Sequence, residues 1–427
     1  MTDPGATAKG ERMPRADVVS LTRELVAVDA TNPSLVPGGA GERELAELVA
    51  AWLVERGFAV RLIGADPSRP SVLARRRGTG GGRTLLLAGH LDTVGGAGGG
   101  DGAGADGPGD LSLGGDDDRI VGRGAYDMAG GLAAAMVASA AAPEELPGDL
   151  VLAFAADEEF GSVGMEELLA ALDAETDDFA DARGDEASAR SGPPRPDGAI
   201  VLEPTDLEVT LAHRGFAWYR VEYEGVAAHG SQPELGVDAI DRALDGLVAL
   251  RAFAAELDAR PRHPLLGAGS VRVATIEGGT DAATVADRCV LVVERRTLPG
   301  EPDPGAELER VLAPSRPARV VELVARPAME ADPASPIARA VLVSVEVASG
   351  APAVRRGDPW WTDAGLIAGA GIPAVLVGPV GGGAHADEEW VSTDSLERLV
   401  DVVEGAILAF CGENGREART RERKEHP

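Results

Sequence analysis

The chain has 427 residues, 44 % of them hydrophobic and only 4 % aromatic, and it carries a formal net charge of −30 at pH 7. That length sets a soft expectation of roughly two or three domains at ~150 residues each, around cores built mostly from Ala, Val and Leu. So acidic a surface keeps a protein soluble and excludes nucleic acid and anionic membrane as expected partners. Two cysteines, Cys289 and Cys411, cannot form a disulfide framework, which fits a reducing compartment. Residues 1–17 lack the apolar core of a signal peptide, and the longest apolar run, 132–142, is too short to span a bilayer. A soluble cytoplasmic protein is expected.

Residues 16–30 and 42–56 carry apolar positions at helical spacing, the second ending at Gly57 as a C-cap does. Residues 58–63 and 71–74 read as strands. In 84–94, TLLLAGHLDTV, four apolar residues run from Leu85 to Ala88 into Gly89, the pattern of a buried parallel strand. Residues 95–122 are rich in Gly and Asp without periodicity and read as a flexible surface loop, whose acidic run at 116–118 is a solvated feature. A helix is expected over 128–141, a strand over 149–155, a helix over 163–172 and a strand over 198–202. The polar, Pro-rich residues 175–196 read as a disordered insertion. This alternation predicts an α/β fold, a mixed and mostly parallel sheet flanked by helices.

The pattern then changes. Residues 216–224 alternate like a half-exposed strand, and 237–257 form a long amphipathic helix. Further strands are expected at 270–277, 289–296 and 318–325, with a helix near 304–313. This block reads as a smaller α+β unit inserted into the first. Helix returns at 337–348, a buried strand at 374–377 and a final helix at 393–410. The expected organisation is one discontinuous domain, 1–213 with 331–427, interrupted by a second over 214–330.

Chemistry-bearing residues gather at the ends of the predicted strands. His90 and Asp92 leave the strand at 85–90 two residues apart, so on extended chain they point the same way. An imidazole that binds a metal through one nitrogen hands its other N–H to a neighbouring group such as a carboxylate. Asp127, in GRGAYDMAGG, precedes the Ala-rich helix, where the helix dipole favours an anion. Glu158 and Glu159, in AADEEFGS, follow the strand at 149–155, and adjacent carboxylates there repel unless a cation sits between them. Glu203 closes the strand of VLEPT, and His385 lies in the Gly-rich loop GGGAHADEE. Ligands bind outside the carboxyl ends of strands in open α/β sheets. Two imidazoles and four carboxylates at one such edge suit zinc, and two zinc ions need about this many groups, with one carboxylate bridging.

The order GHLDTV, GRGAYDMAGG, DEEFGS, LEPT, AAHGSQP and AH-x-x-E resembles the co-catalytic zinc amidohydrolases and peptidases over nearly the whole chain. That family includes acetylornithine deacetylase, succinyl-diaminopimelate desuccinylase, aminoacylase and the folate-cleaving carboxypeptidase. The resemblance implies that His90 and Glu203 bind one zinc, Glu159 and His385 the other, and Asp127 bridges them, with Co2+ or Mn2+ able to substitute. It implies Glu158 as general base, Asp92 as the partner of His90, and the inserted domain as a lid and dimerisation domain. In the lid, His229 of GVAAHGSQPELG would steady the oxyanion. Arg296 of ERRTLPG would pair with a substrate carboxylate, a task that suits a planar guanidinium. The implied function is hydrolysis of an N-acyl amino acid by a homodimer. A dipeptidase or carboxypeptidase of the same family is the alternative, and a catalytically silent metal-binding scaffold the alternative of another class.

The chain departs from the family pattern in places. Ala129 stands where Lys is frequent, Ala283 where Asn is frequent and Ala286 where Pro is frequent, and the segment after His90 lacks an aromatic stretch. These changes bear on substrate choice more than on the metal ligands.

Overall fold

The computed structural model describes residues 17–95, 118–174 and 195–412. Most of the Gly- and Asp-rich loop expected over 95–122, and of the insertion expected over 175–196, lies outside them. The described residues divide into two compact units. One runs up to Val209 and takes in Pro333–Val354 and the residues from Val375 onward. The other comprises Thr210–Asp332 and Arg355–Ala374. Residues 355–374, expected with the first domain, fall in this second unit. These residues include the strand Arg355–Asp358, which pairs with the strand Val209–His213, and neither short strand was anticipated.

The first unit is built on a mixed sheet. Its strands lie in the order Ala59–Ile63, Ser71–Arg76, Leu150–Ala155, Leu85–His90, Gly198–Val201 and Ala374–Leu376. Leu85–His90 runs parallel to both neighbours, in register Leu85 with Leu150 and His90 with Ala155 on one side and Leu85 with Gly198 on the other. The two strands beyond are antiparallel. Leu85–His90 and Leu150–Ala155 are buried at every position, so both faces are covered by other structure, as expected for strands at the centre of an α/β sheet. Full burial of Leu85, Leu86 and Leu87 contributes on the order of 1.5–3 kcal/mol each.

The helices Val18–Val26, Gly130–Ala141, Pro336–Ser349 and Thr393–Gly412 pack among themselves, while Arg43–Glu55 and Val163–Asp173 pack on the strands. Gly130–Ala141 is buried through most of its length, and its small side chains are the reason it can be. A Cβ at Gly131 would stand 2.1 Å from the Leu202 carbonyl oxygen, so only glycine allows this helix to approach the strand that leads to Glu203. The helix expected from residue 128 starts at Gly130, and a wider turn, Ala125–Ala129, precedes it, with non-helical dihedrals at Asp127 and Met128. The end of the expected Gly/Asp loop is a second correction. Arg119–Val121 is a strand, and it pairs antiparallel with Trp390–Ser392.

The second unit contains a four-stranded antiparallel sheet in the order Arg319–Arg326, Gly215–Glu224, Arg288–Thr297, Ser270–Gly278. Burial alternates strictly along Gly215–Glu224. Tyr219, Val221 and Tyr223 therefore face the helices Ala239–Ala259 and Pro304–Leu312, meeting Phe253, Leu257, Leu308 and Leu312 in one core. Both helices start on aspartate caps: Asp238 accepts the Ile240 N–H at 2.8 Å and Asp303 that of Ala306 at 2.9 Å.

Candidate metal centre

Parallel pairing brings the chemistry together. His90 ends its strand opposite Ala155, and the neighbouring chain turns out through Asp157 into Glu158 and Glu159. Asp157 makes that turn at φ 68°, a left-handed conformation that Asp tolerates better than most residues. On the other side Gly198–Val201 leads directly to Glu203. Two further loops, at Asp127 and His385, complete the cluster.

Asp127 is its centre. Its Oδ1 lies 3.0 Å from His90 Nε2 and its Oδ2 lies 3.5 Å from His385 Nε2. His385 Nε2 also meets Glu159 Oε1 at 3.1 Å. His90, Asp127 and Glu203 form one group that could hold a cation and Asp127, Glu159 and His385 another, with the ligand atoms of each within 4.8 Å of one another. One imidazole and two carboxylates per group, with one aspartate shared, is a donor set that fits two zinc-like ions and leaves room for a further ligand on each.

The electrostatics agree. Hydrogen bonds to Asp127 and Glu159 push His385 up to about 10. Burial works to lower His90, yet the hydrogen bond to Asp127 and the charges of Glu203, Glu158 and Asp127 carry it well above the ordinary imidazole range. Asp127 itself is held low: burial opposes this, but the hydrogen bonds from His385 and His90 outweigh it. A cluster that favours positive charge at its centre so strongly has the chemistry of a cation site.

Asp92 meets His90 through its backbone more closely than through its carboxylate. His90 Nδ1 hydrogen-bonds the backbone carbonyl of Asp92 at 2.8 Å, while the nearer carboxylate oxygen stands 3.7 Å away. Either acceptor fixes the imidazole so that Nε2 faces the cluster. The Asp92 carboxylate is instead directed at the acidic turn. It accepts the backbone N–H groups of Glu158 at 3.0 Å and Glu159 at 3.1 Å, and an amide N–H from Asn32 at 2.8 Å. Burial raises Asp92 to about 6. Asn32, fully buried, also reaches Asp157, which pairs with Arg69 at 3.0 Å. Sequence reasoning missed Asn32; its signal was an Asn ahead of a Pro in TNPS, closing a local turn on the Ser34 N–H at 2.8 Å. It also missed Glu389, whose carboxylate accepts the backbone N–H groups of Gly124, Tyr126 and Asp127. Glu158 belongs to neither ligand group, and its backbone is pinned by Asp92.

His229 and Arg296 belong to the second unit. His229 is exposed, and its Nδ1 accepts the Ser231 N–H at 3.2 Å, which leaves the Nε2 position to carry the proton. The segment around it pairs with the one containing Ala283 and Thr284: the Gly230 N–H donates to the Ala283 carbonyl at 2.6 Å. Arg296 lies over the Phe216 ring at 5.3 Å and pairs with Glu294 at 2.9 Å.

A mixed α/β sheet whose strand ends gather two imidazoles and a shared aspartate among further carboxylates defines a metal-dependent hydrolase. The chain belongs to the peptidase family M20/M25/M40, whose model matches residues 86–409. It is 30 % identical over 420 residues to the acetylornithine deacetylase of Myxococcus xanthus, covering 91 % of this chain and 96 % of that one. Its fold is shared with the aminopeptidase PepT of Bacillus cereus at a TM-score of 0.71 and 19 % identity, over 93 % of this chain and 98 % of the other. It is shared also with a dinuclear metal-binding peptidase of Bacillus subtilis, at a TM-score of 0.62 and 14 % identity over 92 % and 97 % of the two chains. The activity is that of the deacylase and peptidase class.

Proposed function

We propose that this chain hydrolyses the amide bond of an N-acyl amino acid, working as a cytoplasmic homodimer with two zinc ions. The observation that carries this reading is the shared Asp127, with its two oxygens directed to different imidazoles. His90, Asp127 and Glu203 would hold one ion and Asp127, Glu159 and His385 the other, and such ions would supply Lewis-acid polarisation of the scissile carbonyl and acidify the attacking water. Glu158 takes the proton from that water onto its carboxylate and returns it to the leaving amine. Asp92 holds Glu158 and Glu159 in place through their backbone amides, and His90 is oriented by its Nδ1 hydrogen bond. His229 donates its Nε2–H to the developing oxyanion. Arg296 exchanges Glu294 for the substrate's α-carboxylate.

The name of the Myxococcus xanthus relative supports deacylation over peptide cleavage. The dimer is supported by an apolar stripe, Ile240, Leu244 and Val248, on one face of the helix Ala239–Ala259, each at least 44 % exposed. The buried free thiols Cys289 and Cys411 fit a reducing compartment, and no helix among the described residues is long and apolar enough to cross a membrane.

The test is the zinc content of purified protein together with hydrolysis of N-acetyl amino acids, N-succinyl amino acids and dipeptides. Two zinc ions and preference for the acyl amino acids are expected. Preference for the dipeptides moves the reading to a peptidase of the same family, and no hydrolysis by zinc-loaded protein leaves a silent scaffold.

A further inference from the structure

Glu389 is 3 % exposed and lies outside both ligand groups, yet its carboxylate is bonded to the segment that carries Asp127. Its Oε1 accepts the backbone N–H groups of Tyr126 at 3.0 Å and Asp127 at 2.9 Å. Its Oε2 accepts the Gly124 N–H and Arg123 Nη1, both at 2.9 Å. The turn that carries Asp127 opens a helix, and the first amides of a helix have no partner within it. Here a single carboxylate accepts three N–H groups of that turn together with an arginine. No other side chain of this length could do so, because only an ionised carboxylate offers about four acceptor sites and no donor. Asp127 leaves the helical dihedral region, at φ −118° and ψ 87°, and the hydrogen bond on its own N–H is one of those that Glu389 supplies.

Glu389 is itself rigidly held. The Gly122 N–H donates to its carbonyl at 2.9 Å, and Trp390 beside it pairs with Val121. Arg123 Nη2 reaches back to the Ala386 carbonyl at 2.6 Å, and Ala386 adjoins His385. The loop that carries His385 and the turn that carries Asp127 are therefore fastened together, with Glu389 at the centre of the contacts.

We propose that Glu389 is the positioning residue of the second metal position: one buried carboxylate locks the Gly124–Asp127 turn to the His385 loop, so that Asp127 and His385 reach that ion as one piece. This rests on the reading of the cluster as a two-metal site. The first ion keeps His90 and Glu203, which come from the sheet, so loss of Glu389 weakens the second position more than the first.

The experiment titrates Co2+ into chelator-treated protein and follows the cobalt absorption spectrum and the stoichiometry, beside thermal melting of the metal-free form. Glu389→Gln keeps the shape but sets an NH2 donor against the donors it must accept. The expected result is a 10–100-fold weaker second Co2+ and an altered spectrum of the bridged pair, the scale usual for groups that hold metal ligands. The first Co2+ should change less, and the effect should persist in protein that melts as wild type does. A merely structural glutamate would lower the melting temperature and leave the affinity of the folded protein unchanged, which overturns the proposal. Should Glu389→Gln not fold, Arg123→Met decides, removing one of the four donors: a smaller loss at the second position is expected, and wild-type affinity at both overturns the proposal. If wild-type protein binds no Co2+, the two-metal reading falls and this inference with it. If wild type binds two and Glu389→Gln matches it, only this inference falls.

Discussion

Gly378→Ala tests how tightly the sheet edge holds the proposed ligands, without substituting any of them. A Cβ built at Gly378 stands 1.8 Å from the carbonyl oxygen of Glu203, where real Cβ atoms keep at least 3.0 Å. The two segments must separate by at least the 1.2 Å difference. Neither yields easily. The Gly378 N–H is bound to Thr205 Oγ1 at 2.9 Å, and the Val377 N–H to the Val201 carbonyl at 3.1 Å, so both flanks of Glu203 are tied to the strand that moves. Overpacking of this kind costs roughly 1–3 kcal/mol of stability, which a domain of ordinary stability survives. A misplacement of about 1 Å costs on the order of 10²-fold in rate. The assay is kcat/KM on an N-acetyl amino acid with zinc content measured on the same folded sample. Gly412→Ala, where an added Cβ meets nothing within 4 Å, is the control. Retention of wild-type zinc and kcat/KM in Gly378→Ala would refute the assignment of Glu203 as a ligand.

Glu158→Gln should keep its metal and lose turnover by roughly 10²–10⁴-fold, whereas Glu159→Gln should lose metal; the opposite pattern in a metal assay would exchange their roles. Arg296→Ala should raise KM by roughly 10–100-fold for substrates with a free α-carboxylate and leave the matching amides nearly unchanged, as the loss of a charge-assisted hydrogen bond predicts; an equal effect on both makes Arg296 a partner of Glu294 alone. His213 is fully buried, and burial pushes it down to about 4 from 6.5. Above pH 6.5 it is neutral folded or unfolded and contributes no pH dependence. As pH falls from 6.5 to 4 only the unfolded chain takes the proton, so stability drops, by about 3 kcal/mol in full. Urea unfolding of metal-free wild type and His213→Leu at pH 7 and pH 5 should show a steeper loss in wild type, and parallel slopes would sink this. Co-expressed Glu158→Gln and His229→Ala should recover about a quarter of wild-type activity if His229 acts across a dimer, since random pairing makes half the dimers mixed, each with one intact site; no recovery removes the action in trans.

Much of this is legible in the chain itself. Continuous apolar runs and helical patterning placed the central strands and most helices, because a strand covered on both faces, as Leu85–Ala88 is, has to be apolar along its length. The candidate ligands were legible for a related reason. His90 ends such a strand, Glu159 and Glu203 lie within four residues of the ends of two others, and parallel strands share one end, so the motifs converge in a fold of this class. What the chain could not announce was which neighbour each polar group would choose. His90 could turn to the Asp92 carboxylate or to its carbonyl, and packing selected the carbonyl and freed the carboxylate for two backbone amides. In the acidic pair after His385, Glu388 and Glu389 are the same residue type side by side; strand pairing at Trp390 buries the second and exposes the first. The short strands Val209–His213 and Arg355–Asp358 carry too few residues for periodicity and are defined by pairing, the second against the first and the first also against Met329–Glu330. Residue type and spacing along the chain therefore determined the candidate metal ligands. The hydrogen-bond wiring of the site was decided by contacts between segments distant in sequence, whose energies depend on distances that only the folded chain defines.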